Sequence, residues 1–279
     1  IRYQRGDVLI ANIRPYLKKV WFADIDGGAS PDVLVFRAKD GHSPSFLYAV
    51  LLQDSFFDYV MQGAKGSKMP RGDKQQILRY EMPTLSCSEE SIGTFFLNLD
   101  RKIHLNERIN QNLEAMAKQL YNYWFVQFDF PNEEGKPYKS SGGEMVWNEE
   151  LKREIPALWE TKEVADIANV YNGATPSTVD ELNYGGDIVW ITPKDLSDQK
   201  QKFIYQGERN ISQVGYDSCS THLLPSNTIL MSSRAPIGLL AIAKNELCTN
   251  QGFKSFVPKY RNIAIYLYYY LQYHLRQIE

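Results

Sequence analysis

The sequence contains few cysteines and no long apolar run. Its three cysteines, Cys87, Cys219 and Cys248, are widely spaced among 279 residues. An odd, scattered set does not build a disulfide framework and is typical of a reducing cytosol. No stretch approaches the ~18–20 consecutive apolar residues that span a bilayer, and the polar first residues do not resemble a signal peptide. We therefore expect a cytoplasmic protein with no membrane segment.

Motifs that would indicate catalysis are also absent. There is no glycine loop followed by Lys-Ser or Lys-Thr, no dinucleotide fingerprint, no Gly-x-Ser-x-Gly elbow and no Asn-Pro-Pro-aromatic tetrapeptide of the amino-methyltransferase kind. Asp187, Glu160 and Lys162 fit no metal-dependent nuclease arrangement and are interpreted as surface charges. Cys219 and His222 supply only half of a four-ligand zinc site. We expect no catalytic residue, no metal and no cofactor on this chain.

The charges are nearly balanced. The chain has 31 basic and 33 acidic side chains, which give a formal net charge of −2 at pH 7. This balance argues against non-specific binding of a polyanion over the whole surface. It leaves room for a local basic face, because binding responds to the charges near the phosphates.

An internal repeat is the most informative feature that is present. Residues 6–15 (GDVLIANIRP) return as residues 227–236 (NTILMSSRAP). Each segment is a turn, an apolar run, two small or polar residues, and an arginine with a proline nearby. A second pair of blocks, 46–51 and 266–271, shares the 220-residue separation of Arg14 from Arg234. Two blocks at one separation indicate a duplicated module, although a strand, turn and helix recurring by accident remains the alternative.

The repeated segments predict strands followed by a helix in each copy. The predicted strands are 8–10 and 33–36 in the first copy, and 229–231, 239–243 and 253–257 in the second. The predicted helices lie around 43–61 and 261–277. The fold class is therefore α+β, with two related β-rich modules separated by a long coiled-coil-type helix.

The two copies are expected to be unequal. Residues 159–225 add strands and polar loops that the first copy lacks, whereas the second copy stops soon after its helix. We interpret the chain as the later part of one module and the earlier part of the next. The expected domains are 1–86 for the first module, 87–128 for the helix, 129–156 for a connector packed along a surface, and 157–279 for the second module.

The helix between the modules has the strongest pattern. Ser88 is a predicted N-cap, with Glu89 and Glu90 in the first turn, where the helix dipole favours them. A seven-residue pattern follows, at Ile92, Phe96, Leu99, Ile103, Asn106, Asn110, Leu113, Leu120 and Trp124. A stripe this narrow predicts a coiled-coil seam, in which the asparagines fix the register. The alternative is a long helix packed on its own domain, which usually needs a wider apolar face.

A loop rich in glycine and proline suits a DNA backbone. Residues 63–74 carry four cations and one anion, and a loop also offers backbone N–H groups to phosphates. In the second module, polar side chains lie in predicted loops, where Arg and Lys suit guanine, Gln suits adenine, and Ser and Thr suit phosphate. The predicted DNA-binding residues are Lys18, Lys19, Lys65, Lys68, Arg71, Lys74, Thr175, Ser177, Thr192, Lys194, Arg234 and Gln251. For any one of them, the alternative is a solvated surface side chain.

At these residues the chain resembles the specificity subunits of type I restriction–modification enzymes. Residues 6–15 look like the strand entering the latter half of a target-recognition domain, and the helix from 97 onward is similar to the conserved helix. The stretch 128–159, with FDFP, GKPYK and IPALW, resembles the connector. Residues 172–252, with NGATPS, WITPKDL and TNQG, are similar to the body of the second recognition domain.

The resemblance implies a division of labour. Each recognition domain would read one half of a split double-stranded DNA target, while the long helices set the spacing and dock two modification subunits. S-adenosylmethionine, ATP and Mg would belong to those subunits and to a restriction subunit. The chain departs from the family in length, since it has one conserved helix instead of two. The seam would then lack its intramolecular partner, and a homodimer through the helix stays open. A non-DNA protein-interaction scaffold built on a coiled coil is the alternative function.

Overall fold

The structure is a computed structural model that describes residues 1–83, 86–199, 201–234 and 236–278. Ala235, in the second copy of the repeat, lies outside these residues. The chain divides into two compact units, residues 1–114 (unit 1) and 115–279 (unit 2), and the long helix runs from one into the other. No helix among the described residues is long and apolar enough to cross a membrane.

Unit 1 is built on a three-stranded antiparallel sheet. Its elements are β1 (Arg2–Tyr3), β2 (Val8–Ala11), β3 (Val20–Phe22), β4 (Gly27–Gly28), β5 (Val33–Phe36), α1 (Pro44–Leu51), α2 (Asp54–Gln62), α3 (Lys74–Ile77) and the first part of α4 (Glu89–Tyr121). The strand order is β3-β2-β5, and β1 pairs with β4. Because side chains alternate along a strand, Val8 and Ile10 share one face of β2. They pack there with Tyr48, Leu51 and Phe56 in a single apolar cluster.

Helices α1 and α2 correct one sequence-based expectation. A single helix was predicted around 43–61, but the helix ends at Leu51 and restarts at Asp54, with Gln53 in an extended conformation. The break contains no Gly or Pro, so the usual signal was absent. Asp54 favours a new helix start because its carboxylate faces the positive end of the helix dipole.

The long helix α4 contains 33 residues and continues as a π-helical turn over Asn122–Val126. The predicted N-cap is confirmed, since Ser88 Oγ accepts a hydrogen bond from Ser91 N at 3.3 Å. Leu97 is buried in the core of unit 1, and Tyr121 is buried in the core of unit 2.

Unit 2 contains a five-stranded and a three-stranded sheet. Its remaining elements are β6 (Met145–Asn148), β7 (Arg153–Pro156), α5 (Val164–Ile167), β8 (Ala168–Asn172), β9 (Tyr184–Ile191), α6 (Pro193–Asp198), β10 (Phe203–Ile204), β11 (Arg209–Ile211), α7 (Gln213–Asp217), β12 (Ile229–Ser232), β13 (Leu240–Ala243), β14 (Cys248–Thr249), β15 (Phe253–Pro258) and α8 (Ala264–Ile278). The sheet orders are β10-β13-β12-β15-β8 and β11-β9-β14. Ile229 and Met231 face a cluster with Leu267 of α8, whereas Leu230 faces a second cluster with Phe253. Both faces of this sheet are therefore covered.

The structure reproduces the repeat strand by strand. In unit 1, β2 pairs antiparallel with β3 and β5, and in unit 2 β12 pairs antiparallel with β13 and β15. The Val8↔Phe22 pair of unit 1 corresponds to Ile229↔Ile242 of unit 2. The central strands are offset by 221 residues and the flanking strands by 220, because the loop between them is one residue shorter in unit 2. The mixed helix and sheet class is confirmed.

The connector contains a hairpin that the sequence did not indicate. Strands β6 and β7 pair antiparallel, with Val146 opposite Ile155. Upstream, Phe130 stacks on Tyr138 with ring centres 4.8 Å apart, and Phe130 also stacks on Trp159 at 5.2 Å. Aromatic stacking therefore holds this part of the connector against Trp159, at the start of the second module.

Candidate nucleic-acid interface

Three loops of unit 2 meet at one end of its five-stranded sheet. They follow β8 (173–177), follow β12 (233–239) and precede β15 (250–252). Ala174 N donates to Thr249 O at 3.0 Å, and Ser233 N donates to Gly252 O at 2.7 Å. Backbone hydrogen bonds therefore fix all three loops to one another.

One side-chain hydrogen bond in this cluster joins two predicted DNA-binding residues. Thr175 Oγ1 donates to Gln251 Oε1. The approach depends on Gly173, where a Cβ atom would lie 2.2 Å from the carbonyl oxygens of Thr249 and Asn250. A side chain at that position would push the two loops apart, which explains the glycine.

Strand β9 adds a fourth loop to the same end. Asn250 N donates to Ile191 O at 3.0 Å, so the start of α6 lies beside the cluster. The Thr192 side chain donates to Asp195 at 2.6 Å and caps α6. Its local role is structural. Lys194 is exposed and pairs with Glu208 at 2.7 Å, and this hydrogen bond raises the pKa of Lys194.

Ser177 and Arg234 lie on the outer parts of these loops. The Ser177 hydroxyl accepts from Val179 N at 3.4 Å and remains exposed. Arg234 is exposed two residues beyond the end of β12. Its side chain can reach a ligand without breaking an ion pair that the structure describes.

In unit 1 the basic loop packs against the loop that follows β2. Arg14 N donates to Pro70 O at 2.8 Å, and Gly72 N donates to Asn12 O at 3.3 Å. An isolated bridge joins Ile13 to Arg71. The 63–74 loop thus lies at the end of its sheet that corresponds to the loop end of unit 2.

The six predicted DNA-binding cations of unit 1 fall into two groups. Three are paired with carboxylates: Lys18 with Asp54 at 2.6 Å, Lys65 with Asp73 at 3.2 Å, and Arg71 with Asp32 at 3.1 Å. The others, Lys19, Lys68 and Lys74, are exposed and have no ion pair within the described part of the chain. An unpaired cation can contact a phosphate without losing a partner, so these three are the stronger candidates.

Arg14 is a candidate that the sequence-based set omitted. It is exposed and adopts a left-handed conformation, with φ 51°, directly before the 3-10 helix Pro15–Leu17. The repeat was the signal that could have found it, because Arg14 occupies the place of Arg234, which the set included.

The predicted coiled-coil residues lie mostly on an open face of α4. Ile103 and Leu113 are 57% and 56% exposed, while Ile92 and Trp124 are partly buried. The other exposed members of the stripe are Phe96, Leu99, Asn106, Asn110 and Leu120. Leu97 lies away from this stripe and packs into unit 1, whereas Tyr121 lies beside Leu120 and Trp124 of the stripe and packs into unit 2. The helix therefore packs on its own units and also leaves the predicted seam open.

The described residues contain no group of three His, Cys, Asp or Glu side chains placed to hold a metal ion. Cys219 lies in a loop and donates to Gly215 O, and Cys248 is buried. Burial raises the pKa of the Cys248 thiol to about 11, so it stays protonated near neutral pH and is a poor nucleophile.

Comparisons with known proteins agree with the sequence resemblance. Residues 156–279 match the type I restriction modification DNA specificity domain. The type I restriction enzyme MjaIX specificity subunit of Methanocaldococcus jannaschii is 48% identical over 127 residues, which cover 44% of this chain and 29% of that protein. The HindI specificity subunit of Haemophilus influenzae is 26% identical over 323 aligned positions, which cover 95% of this chain and 69% of that protein.

A solved structure supports the fold. The crystal structure of the type I restriction-modification system S subunit from M. genitalium has a TM-score of 0.59 at 12% identity, over 99% of this chain and 65% of that one. The chain is thus similar to type I restriction enzyme specificity subunits, and residues 156–279 match their DNA specificity domain. It spans between 29% and 69% of the length of the two curated relatives.

Proposed function

We propose that this chain reads DNA sequence as the specificity subunit of a type I restriction–modification complex. One observation carries the proposal. In each unit, polar and basic loops gather at the corresponding end of a repeated sheet, and the second of these units matches a DNA specificity domain. A sheet end that presents loops offers backbone and side-chain donors to a duplex from a rigid support.

The two loop groups are suited to different contacts. In unit 1 the exposed cations Lys68 and Lys74 suit phosphates, which bind any nearby cation and report no sequence. In unit 2 Arg234 and Gln251 suit base edges, since both residue types form paired hydrogen bonds in the major groove. Thr175 holds the Gln251 amide in place through its hydrogen bond. Each unit would read one half of a split target.

Helix α4 would set the distance between the half-sites and dock the modification subunits. Its open stripe supports this part of the proposal, because Phe96, Ile103 and Leu113 expose apolar surface along one face. A heptad stripe of this width fits a second helix of the same kind. Light scattering of the purified chain distinguishes the two candidate partners of this stripe. A dimer indicates a second copy of the chain, and a monomer that associates only with modification subunits indicates docking of those subunits.

Methyl transfer and cleavage would belong to the partners, which would hold S-adenosylmethionine, ATP and Mg. The chain itself would be non-catalytic. Methylation or cutting of DNA by the purified chain alone would contradict this proposal.

The test of DNA reading is a salt titration of binding to duplex DNA, with the modification subunits present. Each phosphate contact adds about one to the slope of log K against log salt. We expect Lys68→Ala to reduce the slope by about one. Arg71→Ala should reduce it less, because Arg71 already forms an ion pair with Asp32. Lys136→Ala is the matched control, since Lys136 pairs with Glu134 in the connector. Absence of salt-dependent binding would overturn the DNA function and leave the protein-scaffold alternative.

A further inference from the structure

Arg209 of unit 2 is an exposed cation that was not among the predicted DNA-binding residues. Its guanidinium lies over the ring of Tyr184, with Cζ 5.0 Å from the ring centre, which is within the range of a cation–π contact. Glu208, its neighbour in sequence, pairs with Lys194 instead. Within the described residues the Arg209 side chain has no ion pair and no hydrogen bond. Its N–H donors are therefore open to a ligand, while the ring limits how the plane of the guanidinium can turn.

The backbone that carries Arg209 is fixed against its neighbours. In the antiparallel pair of β11 and β9, Arg209 lies opposite Trp190. Just before it, Glu208 N donates to Asp195 Oδ1 at 2.7 Å, and a Cβ atom at Gly207 would lie 2.8 Å from Trp190 O. The segment that leads into Arg209 is thus packed closely against β9 and α6. The side chain therefore extends from a rigid support.

Tyr184 connects this cation to the 173–177 loop of the candidate interface. Its hydroxyl donates to Pro176 O at 2.9 Å, while its ring supports Arg209. The Tyr184 side chain is half-buried, and its ring centre lies 6.0 Å from that of Trp190. The guanidinium is therefore close to one of the loops that carry the predicted DNA-binding residues.

Two neighbouring side chains hold the same loop. Trp190 Nε1 donates to Ala174 O at 3.1 Å, and Asn183 Nδ2 donates to Ser177 O at 2.9 Å. Asn183 and Trp190 are buried, and a hydrogen bond away from water is stronger than an exposed one. Three carbonyl groups of the loop are thus bound to side chains of residues 183–190. The fold therefore fixes the position of the loop relative to the ring that supports Arg209.

We propose that Arg209 reads the edge of a guanine in the DNA target, and that Tyr184 is its positioning residue. This inference rests on the proposed DNA function. A guanidinium whose plane is fixed can form two parallel hydrogen bonds with O6 and N7 of guanine in the major groove. A phosphate accepts any nearby cation and needs no fixed plane, so the stacked arrangement favours a base.

The test is the selection of preferred sequences from a pool of randomised DNA duplexes, by the complex of the full chain with the modification subunits. Arg209→Ala should lower the preference for guanine about tenfold at one position and leave the other positions unchanged. Arg209→Lys keeps the charge but lacks the planar fork. It should therefore keep the salt slope of the wild type without restoring the preference. A purely structural role of Arg209 would weaken every position instead.

Variants of Tyr184 separate the role of the ring from that of the hydroxyl. Tyr184→Phe keeps the ring under Arg209 and loses only the bond to Pro176 O, so it should keep the preference at that position. Tyr184→Leu removes both contacts and should relax the same position as Arg209→Ala does. Urea unfolding checks that each variant is folded. Equal preferences in the two Tyr184 variants would overturn the positioning role of the ring.

The matched control is Lys244→Ala. Lys244 also lies over a tyrosine ring, 5.8 Å from the centre of Tyr205, but it follows β13 at the opposite end of the sheet from the loops. This variant should keep every preference of the wild type. Unchanged preference in Arg209→Ala, or a lower salt slope with no position relaxed, would overturn this inference and leave the DNA function intact. If the wild-type complex selected no sequence, the proposed function would fail and this inference with it.

Discussion

Units 1 and 2 share a three-stranded core but differ in what surrounds it. In unit 2 the sheet has a cluster on each face, a strand beyond β13 and another beyond β15. In unit 1 one face carries the main cluster, and among the described residues no strand pairs beyond β3 or β5. Leu9 and Leu230 occupy equivalent positions on the second face. Leu230 is fully buried in a cluster, whereas Leu9 is 7% exposed and belongs to none of the clusters described.

The repeated residues form the same strand pairs in both units. The apolar run of β2 is as continuous as that of β12, although only β12 has a described apolar cluster on each face. Coverage comes from residues outside the repeat, such as Ile191, Ile204 and Leu247 in unit 2. Substitutions at matched positions of the two units can measure how much stability the second cluster of unit 2 contributes.

The largest expected effect comes from truncating the matched leucines. Leu230→Ala should lower the free energy of unfolding by about 3–4 kcal/mol, because the site is enclosed and cannot collapse around the lost atoms. Leu9→Ala should cost at least about 1 kcal/mol less, since fewer atoms surround it. Urea unfolding of the full chain, followed by circular dichroism, measures both. Equal costs would mean that the second face of unit 1 is covered in solution.

A buried charge distinguishes the two units at the start of the central strand. Asp7 is 1% exposed and accepts two hydrogen bonds from Arg37, at 2.8 and 2.7 Å. Thr228 occupies the equivalent place and donates to Pro225 O at 2.7 Å. Asp7→Asn should cost about 2–3 kcal/mol, and Thr228→Val about 1 kcal/mol, because a charge-assisted pair is stronger than a neutral bond. The same unfolding experiment checks the ranking.

The difference in stability cost between Asp7→Asn and Thr228→Val should depend on pH. The hydrogen bond from Arg37 holds the pKa of Asp7 below its usual value of 3.8. A lowered native pKa stabilises the folded state above the ordinary value, and this contribution is lost as the pH falls through the native pKa. The difference between wild type and Asp7→Asn should therefore be constant near neutral pH and shrink below about pH 4. The Thr228→Val difference should not change over that range, and a parallel decline would contradict the assignment.

The two loop arginines test whether the units contact DNA in the same way. Arg14→Ala and Arg234→Ala should each lower the salt slope of DNA binding by about one if both contact phosphate. If Arg234 reads a base instead, its variant should keep the slope and lose discrimination between targets by about 1–3 kcal/mol. Salt titrations on matched and altered duplexes separate these outcomes, with Lys136→Ala as the control. Unchanged slope and unchanged discrimination in both variants would remove these loops from the interface.

The sequence predicted the repeated parts well, for a physical reason. The strands at 8–10, 33–36, 229–231 and 253–257 are short apolar runs between turn residues, and the N-cap at Ser88 begins a helix with a clear period. Such patterns are local. The family resemblance followed from them and from the connector motifs, and the comparisons agree with it.

The remaining features depend on contacts between distant residues. After the break at Leu51, Phe56 and Phe57 both lie in the core, and Asp54 is the one local residue that favours the new helix start. The pairing of Thr175 with Gln251 joins residues 76 positions apart, and the capping role of Thr192 depends on Asp195. Loop chemistry indicated which residue types could bind DNA, but not which side chains already have partners.

The smallest expected effect concerns the turn that opens each central strand. Gly6 has φ 91° and Asn227 has φ 68°, and each donates its N–H to the equivalent alanine carbonyl, at 2.8 Å to Ala23 and 2.7 Å to Ala243. Asn tolerates the left-handed region better than other side chains do, whereas Ala is strained there. Gly6→Ala and Asn227→Ala should each cost about 1 kcal/mol, while Gly6→Asn and Asn227→Gly should cost only about half as much or less. Urea unfolding of the four variants measures the costs, and a clear loss in Asn227→Gly alone would show that the asparagine side chain has a role that the turn of unit 1 lacks.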